Sequence, residues 1–275
     1  YSVDTVVHFA AQSHVQNSFD DSLKYSYDNI VGTHTLLESC RLYGKIQKFI
    51  HISTDEVYGE SALDDSEKKN ELSILCPTNP YAATKAGAEL LANSYRFSFN
   101  MPIVITRGNN VYGPNQYPEK LIPRFIQLLN QNKKVTIQGD GSNVRGFLHV
   151  TDVARAVDLI LEKGEVGEIY NIGSDDHDEY TVQEIAQRLI RLIHNTSEYE
   201  PYIEYVEDRP FNDKRYYISN AKVKALGWTI EKSFSGQDYL AYYGIHFAEP
   251  PIGSLRFKVS IISPKKIIFL SPFLQ

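Results

Sequence analysis

Two adjacent carboxylates, Asp55 and Glu56, follow a hydroxyl pair, Ser53-Thr54, in the stretch "KFIHISTDEVYGE". An apolar strand that runs straight into two like charges sets two carboxyl groups side by side. Such groups repel, and environments that push their pKa values apart give one site both a proton donor and a proton acceptor. A solvated polar turn is the plain alternative. Further along, "NPYAATKAGAE" places Tyr81 and Lys85 four residues apart, on one face of a helix. A lysine ammonium beside a phenol stabilises the phenolate and lowers its pKa from about 10 toward neutrality, which makes Tyr81 a base for a hydroxyl proton. Thr54 can share that proton path if folding brings it near Tyr81. With 19 tyrosines in the chain, one Tyr-x-x-x-Lys is a weak signal alone. Its weight depends on the elements that hold it.

Short apolar runs alternate with longer amphipathic stretches over residues 1–195. The runs at 5–11, 48–53, 102–107, 135–138, 146–150 and 168–173 are expected strands. The stretches 22–43, 81–99, 119–131, 151–163 and 181–195 are expected helices, the first closed by Gly44. Strands alternating with helices of this length imply βαβ units and a mostly parallel sheet. The expected fold class is α/β: a Rossmann-like, doubly wound parallel sheet with a smaller C-terminal substrate-binding lobe. In such sheets ligands bind outside the carboxyl ends of the strands. "FAAQS", "STDE" and "RGNNVYG" all fall at such ends, which favours a site over a set of solvated turns.

Composition narrows the function classes. The 275 residues carry a net charge of −6 and a pI of about 5.8. No basic stripe is present, so a nucleic-acid backbone is not an expected partner. Cys40 and Cys76 are the only cysteines and no CxxC occurs, which argues against a disulfide scaffold and a zinc site and fits a reducing, cytoplasmic compartment. The apolar runs after Pro250 are far shorter than the roughly 20 residues that span a bilayer, so no membrane partner is expected. Residues 250–275 hold no carboxylate and change character; they are expected to form an atypical, non-native tail. The expected division is a partial dinucleotide-binding domain over 1–110, a mainly substrate-binding lobe with interleaved sheet elements over 111–249, and the tail.

The ordered blocks "VVHFAAQSHV", "ISTDEVYGE", "NPYAATKAGAE", "RGNNVYGPNQYPEKLIPRF", "YNIG" and "DRPFNDKRY" resemble those of nucleotide-sugar 4,6-dehydratases, extended short-chain dehydrogenase/reductases of the dTDP-glucose or UDP-glucose type. The resemblance covers about residues 3–230, and the acidic pair after Ser-Thr is its most specific part. It implies NAD as cofactor and dTDP-glucose or UDP-glucose as substrate. It implies that Tyr81, helped by Thr54, takes the 4-hydroxyl proton, that Glu56 removes the C5 proton, and that Asp55 protonates the leaving 6-hydroxyl. Lys85 would hold the ribose. Ala10, Ala11, Gln12, Ser13 and Asn29 would line the cofactor. Asn110, Lys120 and Leu121 would meet the nucleotide sugar, with Arg145, Arg215 and Asn171 near the diphosphate. Plain readings stand beside these: strand packing for Ala10-Ala11, a surface amide for Asn29, surface salt bridges or caps for the arginines.

The chain departs from the pattern. The Gly-rich phosphate turn, the first strands and the acidic residue that reads the ribose are absent from residues 1–275. A chain of these residues alone is therefore expected to bind no NAD tightly, to turn over no substrate, and to leave the edge of "TVVHFAA" unpaired. Asn212 stands where bacterial dTDP-sugar enzymes carry His, closer to the UDP-glucose pattern. A 4-epimerase or decarboxylase on the same scaffold, and an inactive isoform acting only by association, are the competing functions. Apolar residues on the helices at 22–43 (Tyr25, Ile30, Leu36, Leu37) and 81–99 (Leu90, Leu91, Tyr95, Phe97) lead to an expected homodimer, by the helix pair through which members of the resembling family dimerise.

Overall fold

In the computed structural model, residues 2–231 and 267–270 are described. Five strands form the main sheet: β1 (Thr5–His8), β2 (Lys48–Thr54), β3 (Ile103–Gly108), β7 (Ile169–Ile172) and β10 (Ile267–Leu270). Their order is β10-β1-β2-β3-β7, and every pair is parallel. Successive side chains leave a strand on opposite faces, and the packing follows that period. Val6, Phe49, Ile103 and Ile105 pack on one face with Leu37, Ala92 and Tyr95. Val7, Ile50 and Val104 pack on the other with Ala156, Ile160 and Trp228. Both faces are thus covered, as a parallel sheet requires.

Helices α1 (Val15–Asp20), α2 (Ser22–Tyr25), α3 (Gly32–Tyr43) and α4 (Pro80–Phe99) follow from the first half of the chain. The expected single helix over 22–43 is interrupted: Ser26–Val31 form a π-helical turn between α2 and α3. The widened turn carries Asn29 inward, where it is fully buried and bridges two elements. Its Oδ1 accepts from the Gln12 amide at 2.7 Å, and its Nδ2 donates to Gln12 O at 3.1 Å and to Thr84 Oγ1 at 2.9 Å. Asn79 caps α4 by accepting from the Ala82 amide, ahead of Pro80 at the first helical position.

The remaining elements form a second unit. Strand β4 (Asn110–Tyr112) runs parallel to β6 (Val144–His149), and β6 runs antiparallel to β8 (Glu179–Thr181). Strand β5 (Val135–Gln138) pairs with β9 (Ile203–Val206). Helices α5 (Leu121–Asn130) and α7 (Val182–His194) close over them in one apolar cluster with Ile137, Phe125 and Ile185. Helix α6 (Val150–Lys163) and the short α8 (Ala221–Ala225) return to the main sheet.

The expectation of an unpaired edge at β1 is corrected here. Strand β10 lies along it in register, Thr5 beside Ile267 through His8 beside Leu270, so an apolar run of the tail supplies the backbone partners. The rest of the tail lies outside the described residues. Both cysteines are free, Cys40 buried and Cys76 exposed. No helix among the described residues is long and apolar enough to cross a membrane, and no cluster of three or more metal-ligating side chains occurs among them.

Candidate active site

The carboxyl end of β2 turns into a short 3-10 helix, Asp55–Tyr58, capped by the Thr54 hydroxyl, which accepts from the Glu56 amide. Gly59 ends it at φ +76°, where a Cβ would lie 2.1 Å from the Cys76 carbonyl oxygen. No other residue fits there, so the turn is pinned at both ends. The Cys76 amide also donates to Val57 O at 3.0 Å.

This turn sends its two carboxylates to different partners. Asp55, 2 % exposed, accepts from Thr54 Oγ1 at 3.0 Å and from Asn109 Nδ2 at 2.6 Å. Burial, aided by the charge of Glu56, pushes its carboxyl up to about 7 against these donors. Glu56 accepts from Asn79 Nδ2 at 3.0 Å and lies 3.2 Å from the Tyr216 hydroxyl. Burial also raises Glu56, while Asn79, Arg145 and Lys120 oppose the rise and Asp213 adds to it. The two carboxyl groups thus meet different neighbours, while burial raises both.

Tyr81 is buried on the first turn of α4, with the Thr54 hydroxyl close enough to its phenol to oppose the upward push of burial. Thr54 therefore stands between the phenol and Asp55. The expected effect of Lys85 on Tyr81 is corrected. The Lys85 ammonium donates to Ile52 O at 2.6 Å, and burial brings it down to about 8. Burial, with the charge of Glu56, holds the Tyr81 phenol above its usual value. Desolvation outweighs any cationic help at a site this dry.

The other expected residues divide into groups. Ala10, Ala11 and Gln12 are half-buried and Ser13 is exposed, just past the carboxyl end of β1. Asn29 reaches this segment, but all its polar atoms are engaged by Gln12 and Thr84, so it shapes the loop from behind. Lys120, with Leu121 beside it at the start of α5, donates to Ser13 O and is close enough to Glu56 to feel its charge. Arg145 also faces the carboxylates. Its guanidinium lies 4.7 Å from the Tyr216 ring centroid and donates to Asp213 O at 2.8 Å. Arg215 instead holds Glu179 through both oxygens and stacks on Tyr217, which is the salt-bridge alternative. Asn171 is fully buried and accepts from Tyr58 at 2.8 Å. Asn110 is half-buried on β4, and its neighbour Asn109 is the one that reaches Asp55.

Four polar residues of the site carried no assignment from sequence: Asn79, Asn109, Asp213 and Tyr216. Asn79 was signalled by its place before Pro80 as a helix cap. Asp213 and Tyr216 stood within "DRPFNDKRY", with nothing local to show that they fold back more than 130 residues onto the β2 turn.

A Rossmann-like parallel sheet with a tyrosine–lysine helix and an acid pair at its carboxyl edge is an arrangement of the short-chain dehydrogenase/reductase fold. Residues 1–237 match the family model described as GDP-mannose 4,6 dehydratase, and the chain belongs to that family. It is 51 % identical over 227 residues to a trifunctional UDP-glucose 4,6-dehydratase/3,5-epimerase/4-keto-reductase of Arabidopsis thaliana, covering 82 % of this chain and 33 % of that protein. It is 47 % identical over 232 residues to the dTDP-D-glucose 4,6-dehydratase of Homo sapiens, covering 82 % and 64 %. Among solved structures, the dTDP-glucose 4,6-dehydratase of Streptomyces venezuelae, with NAD and TYD bound, matches at TM-score 0.79 and 39 % identity. That match covers 84 % of this chain and 70 % of that one. The chain thus spans a third of the length of the plant relative and just under two thirds of the human one.

Proposed function

We propose that the protein dehydrates a nucleotide-activated glucose, of the UDP or dTDP type, to its 4-keto-6-deoxy form with NAD as cofactor. The observation that carries this is the Asp55–Glu56 pair, Asp55 buried and Glu56 half-buried, one carboxyl tied to Thr54 and Asn109 and the other in contact with Asn79 and Tyr216, with Tyr81 near Thr54. The residues present fit the nicotinamide–ribose half of the cofactor: Thr54, Tyr81 and Lys85 converge at the carboxyl end of β2, beside the small side chains Ala10 and Ala11. When bound, NAD supplies the hydride acceptor for C4 and the hydride donor for C6.

The chain's own groups move the protons. Tyr81, once ionised, takes the proton of the 4-hydroxyl; the positive charge that NAD+ would bring to the site would offset the desolvation that keeps the phenol protonated in the free protein. The ketone formed at C4 acidifies C5–H, and Glu56 accepts that proton. Asp55, held protonated near neutrality by its burial, gives its proton to O6, which leaves as water. Glu56 returns its proton to C5 when C6 is reduced. Elimination across C5–C6 needs a base and an acid at neighbouring carbons, and adjacent carboxyls in distinct surroundings supply both. The test is product formation by the full-length polypeptide that carries these residues. With UDP-glucose or dTDP-glucose and NAD, a 4-keto-6-deoxy sugar absorbing in alkali is expected. An epimer without that absorbance would replace this reading with 4-epimerisation.

The assembly we propose is a homodimer across α3 and α4, in a cytoplasmic protein whose cysteines stay reduced. Support comes from exposed apolar side chains on neighbouring segments: Leu23, Tyr27 and Val31 before α3, Leu90 and Phe97 on α4. Tyr25, Leu37 and Tyr95 belong to the monomer core instead. A dimeric mass by light scattering at micromolar concentration is the expected result, and Phe97→Glu is expected to yield monomer.

A further inference from the structure

The loop between β9 and α8 brings Asp213 and Tyr216 against the β2 turn. Both are buried, at 2 % and 5 % exposure. Asp213 receives two hydroxyl protons: Thr78 Oγ1 donates to Oδ1 at 2.6 Å and the Tyr216 hydroxyl to Oδ2 at 2.5 Å. The same Tyr216 oxygen lies 3.2 Å from Glu56 Oε2. A phenol has one proton, so it serves one of the two carboxylates at a time. The shorter contact assigns it to Asp213. An ionised Glu56 then has Asn79 as its side-chain donor and faces a lone pair at Tyr216. A protonated Glu56 donates into that lone pair and completes a line of hydrogen bonds ending on Asp213.

We propose that Asp213 is a positioning residue for the base: it accepts the Tyr216 proton and so leaves the Tyr216 oxygen free to accept the hydrogen bond that Glu56 can make only after it has taken a proton. The inference rests on the dehydration reading for the identity of that proton, the one from C5. The balance is simple. Glu56 gains a proton, the C5–H bond breaks, and Tyr216 keeps its own proton toward Asp213 while its oxygen accepts from Glu56. No charge crosses to Asp213, and no co-reactant is needed. Interactions made only by the protonated base stabilise the transition state over the ground state, so the network acts on the chemical step rather than on binding. The groups facing Glu56 are Asp55 from its own turn, Tyr81 from α4, Lys120 from the start of α5, Arg145 from β6, and Arg209, Asp213 and Tyr216 from the loop. Of these, Tyr216 alone contacts both Glu56 and Asp213.

The test is a carbon-13 carboxyl NMR titration of the glutamate-labelled, full-length polypeptide, with Glu56→Gln identifying the resonance. Asp213 favours the protonated form of Glu56 through its charge and through the hydrogen-bond line. Asp213→Asn and Tyr216→Phe are therefore each expected to move the Glu56 midpoint to lower pH. In turnover, each is expected to lower kcat about tenfold with KM nearly unchanged, and the acid limb of the kcat profile should move the same way. If Asp213→Asn does not fold, Tyr216→Phe, which keeps its ring under Arg145, decides alone. A midpoint that stays in place in the folded variants overturns the proposal, even if kcat falls. The titration needs no turnover. A parent protein that makes no 4-keto-6-deoxy sugar would defeat the dehydration reading and leave this link to be judged on the midpoint.

Discussion

The turn Asp55–Tyr58 has two sides, and they solve the problem of buried charge in opposite ways. Asp55 and Glu56 look onto the site with neutral polar groups in contact: Thr54, Asn109, Asn79 and Tyr216. Tyr58 looks the other way and donates to Asn171, while Arg107 donates to its hydroxyl at 2.7 Å. Arg107 is held in turn by Glu89 through both carboxylate oxygens, at 2.7–3.2 Å, with both side chains under 5 % exposed. On this side every charge is neutralised in place. On the other, no cation among the described residues touches either carboxylate, and Arg145 and Lys120 act only at a distance. A carboxylate locked to a guanidinium is hard to protonate. One surrounded by amides and hydroxyls can pass between forms. The difference separates a network that fixes shape from a pair that exchanges protons.

The largest expected effect tests the exchanging side. Asp55→Asn keeps the shape of the side chain and removes its transferable proton. Water elimination is expected to fall by about 10²–10⁴-fold, while oxidation at C4, seen as a rise in NADH absorbance in a single turnover, continues. A normal rate of 4-keto-6-deoxy product would remove Asp55 from the acid role.

Next comes the fixed side. Glu89→Gln or Arg107→Met leaves one buried charge without its partner, which typically costs about 3–5 kcal/mol. Denaturant midpoints should fall accordingly in both variants. The double variant should recover part of the loss, because no lone charge remains. If the single variants unfold at the parental midpoint, the pair contributes nothing and the contrast between the two sides fails.

A third prediction concerns pH. The Asp55 carboxyl titrates at about 7 in the folded protein against 3.8 for an unperturbed aspartate, so the folded state binds a proton that the unfolded state releases. The stability tied to this proton is fully present below about pH 4 and is lost as pH rises through about 7. Activity should decline over the same upper limb as the acid loses its proton. Asp55→Asn should flatten the stability profile between these limits and make the protein more stable than the parent at pH 8. A parental slope in the variant would place the titration elsewhere.

Much of this was legible in the chain. The alternation of apolar runs and amphipathic stretches located four of the five main-sheet strands and the long helices to within a few residues, because burial on both faces writes itself as continuous apolar strands. Strands β4, β8, β9 and β10 were missed. They are only three or four residues long, too short for periodicity to register. The π-helical turn at Ser26–Val31 is set by the pull of Gln12 and Thr84 on Asn29, contacts that local propensity does not contain. In the site, Thr54, Asp55, Glu56 and Tyr81 stood out because each lies in a local pattern at a strand end or a helix start. Asn109 did not. Strand register decides whether it or Asn110 faces Asp55, and its amide donates to Ile172 O on a neighbouring strand. The order of the sequence blocks favoured Arg145 and left Arg215 open, because the Glu179 that holds Arg215 lies 36 residues away in the chain. Asp213 and Tyr216 arrive from the far end of the chain.

The smallest expected effect belongs to Tyr58, whose hydroxyl joins Arg107 to Asn171 without touching the acid pair. Tyr58→Phe keeps the ring under the Arg107 guanidinium, 4.7 Å from its centroid, and removes the donor to Asn171 and the acceptor for Arg107. Arg107 retains Glu89 and the Glu71 carbonyl, so no charge is stranded. The loss should be that of two buried hydrogen bonds with partners partly satisfied elsewhere, about 1–3 kcal/mol in stability. The turn itself stays pinned by Thr54 at one end and Gly59 at the other. Turnover should therefore stay within about threefold of the parent, since a shift of the acid pair large enough to matter would cost more. Such a variant would be measurably less stable and almost as active. A fall in kcat as deep as that of Asp55→Asn, with a parental denaturation midpoint, would show that the shaping side takes part in proton transfer and that the two sides of the turn are one network.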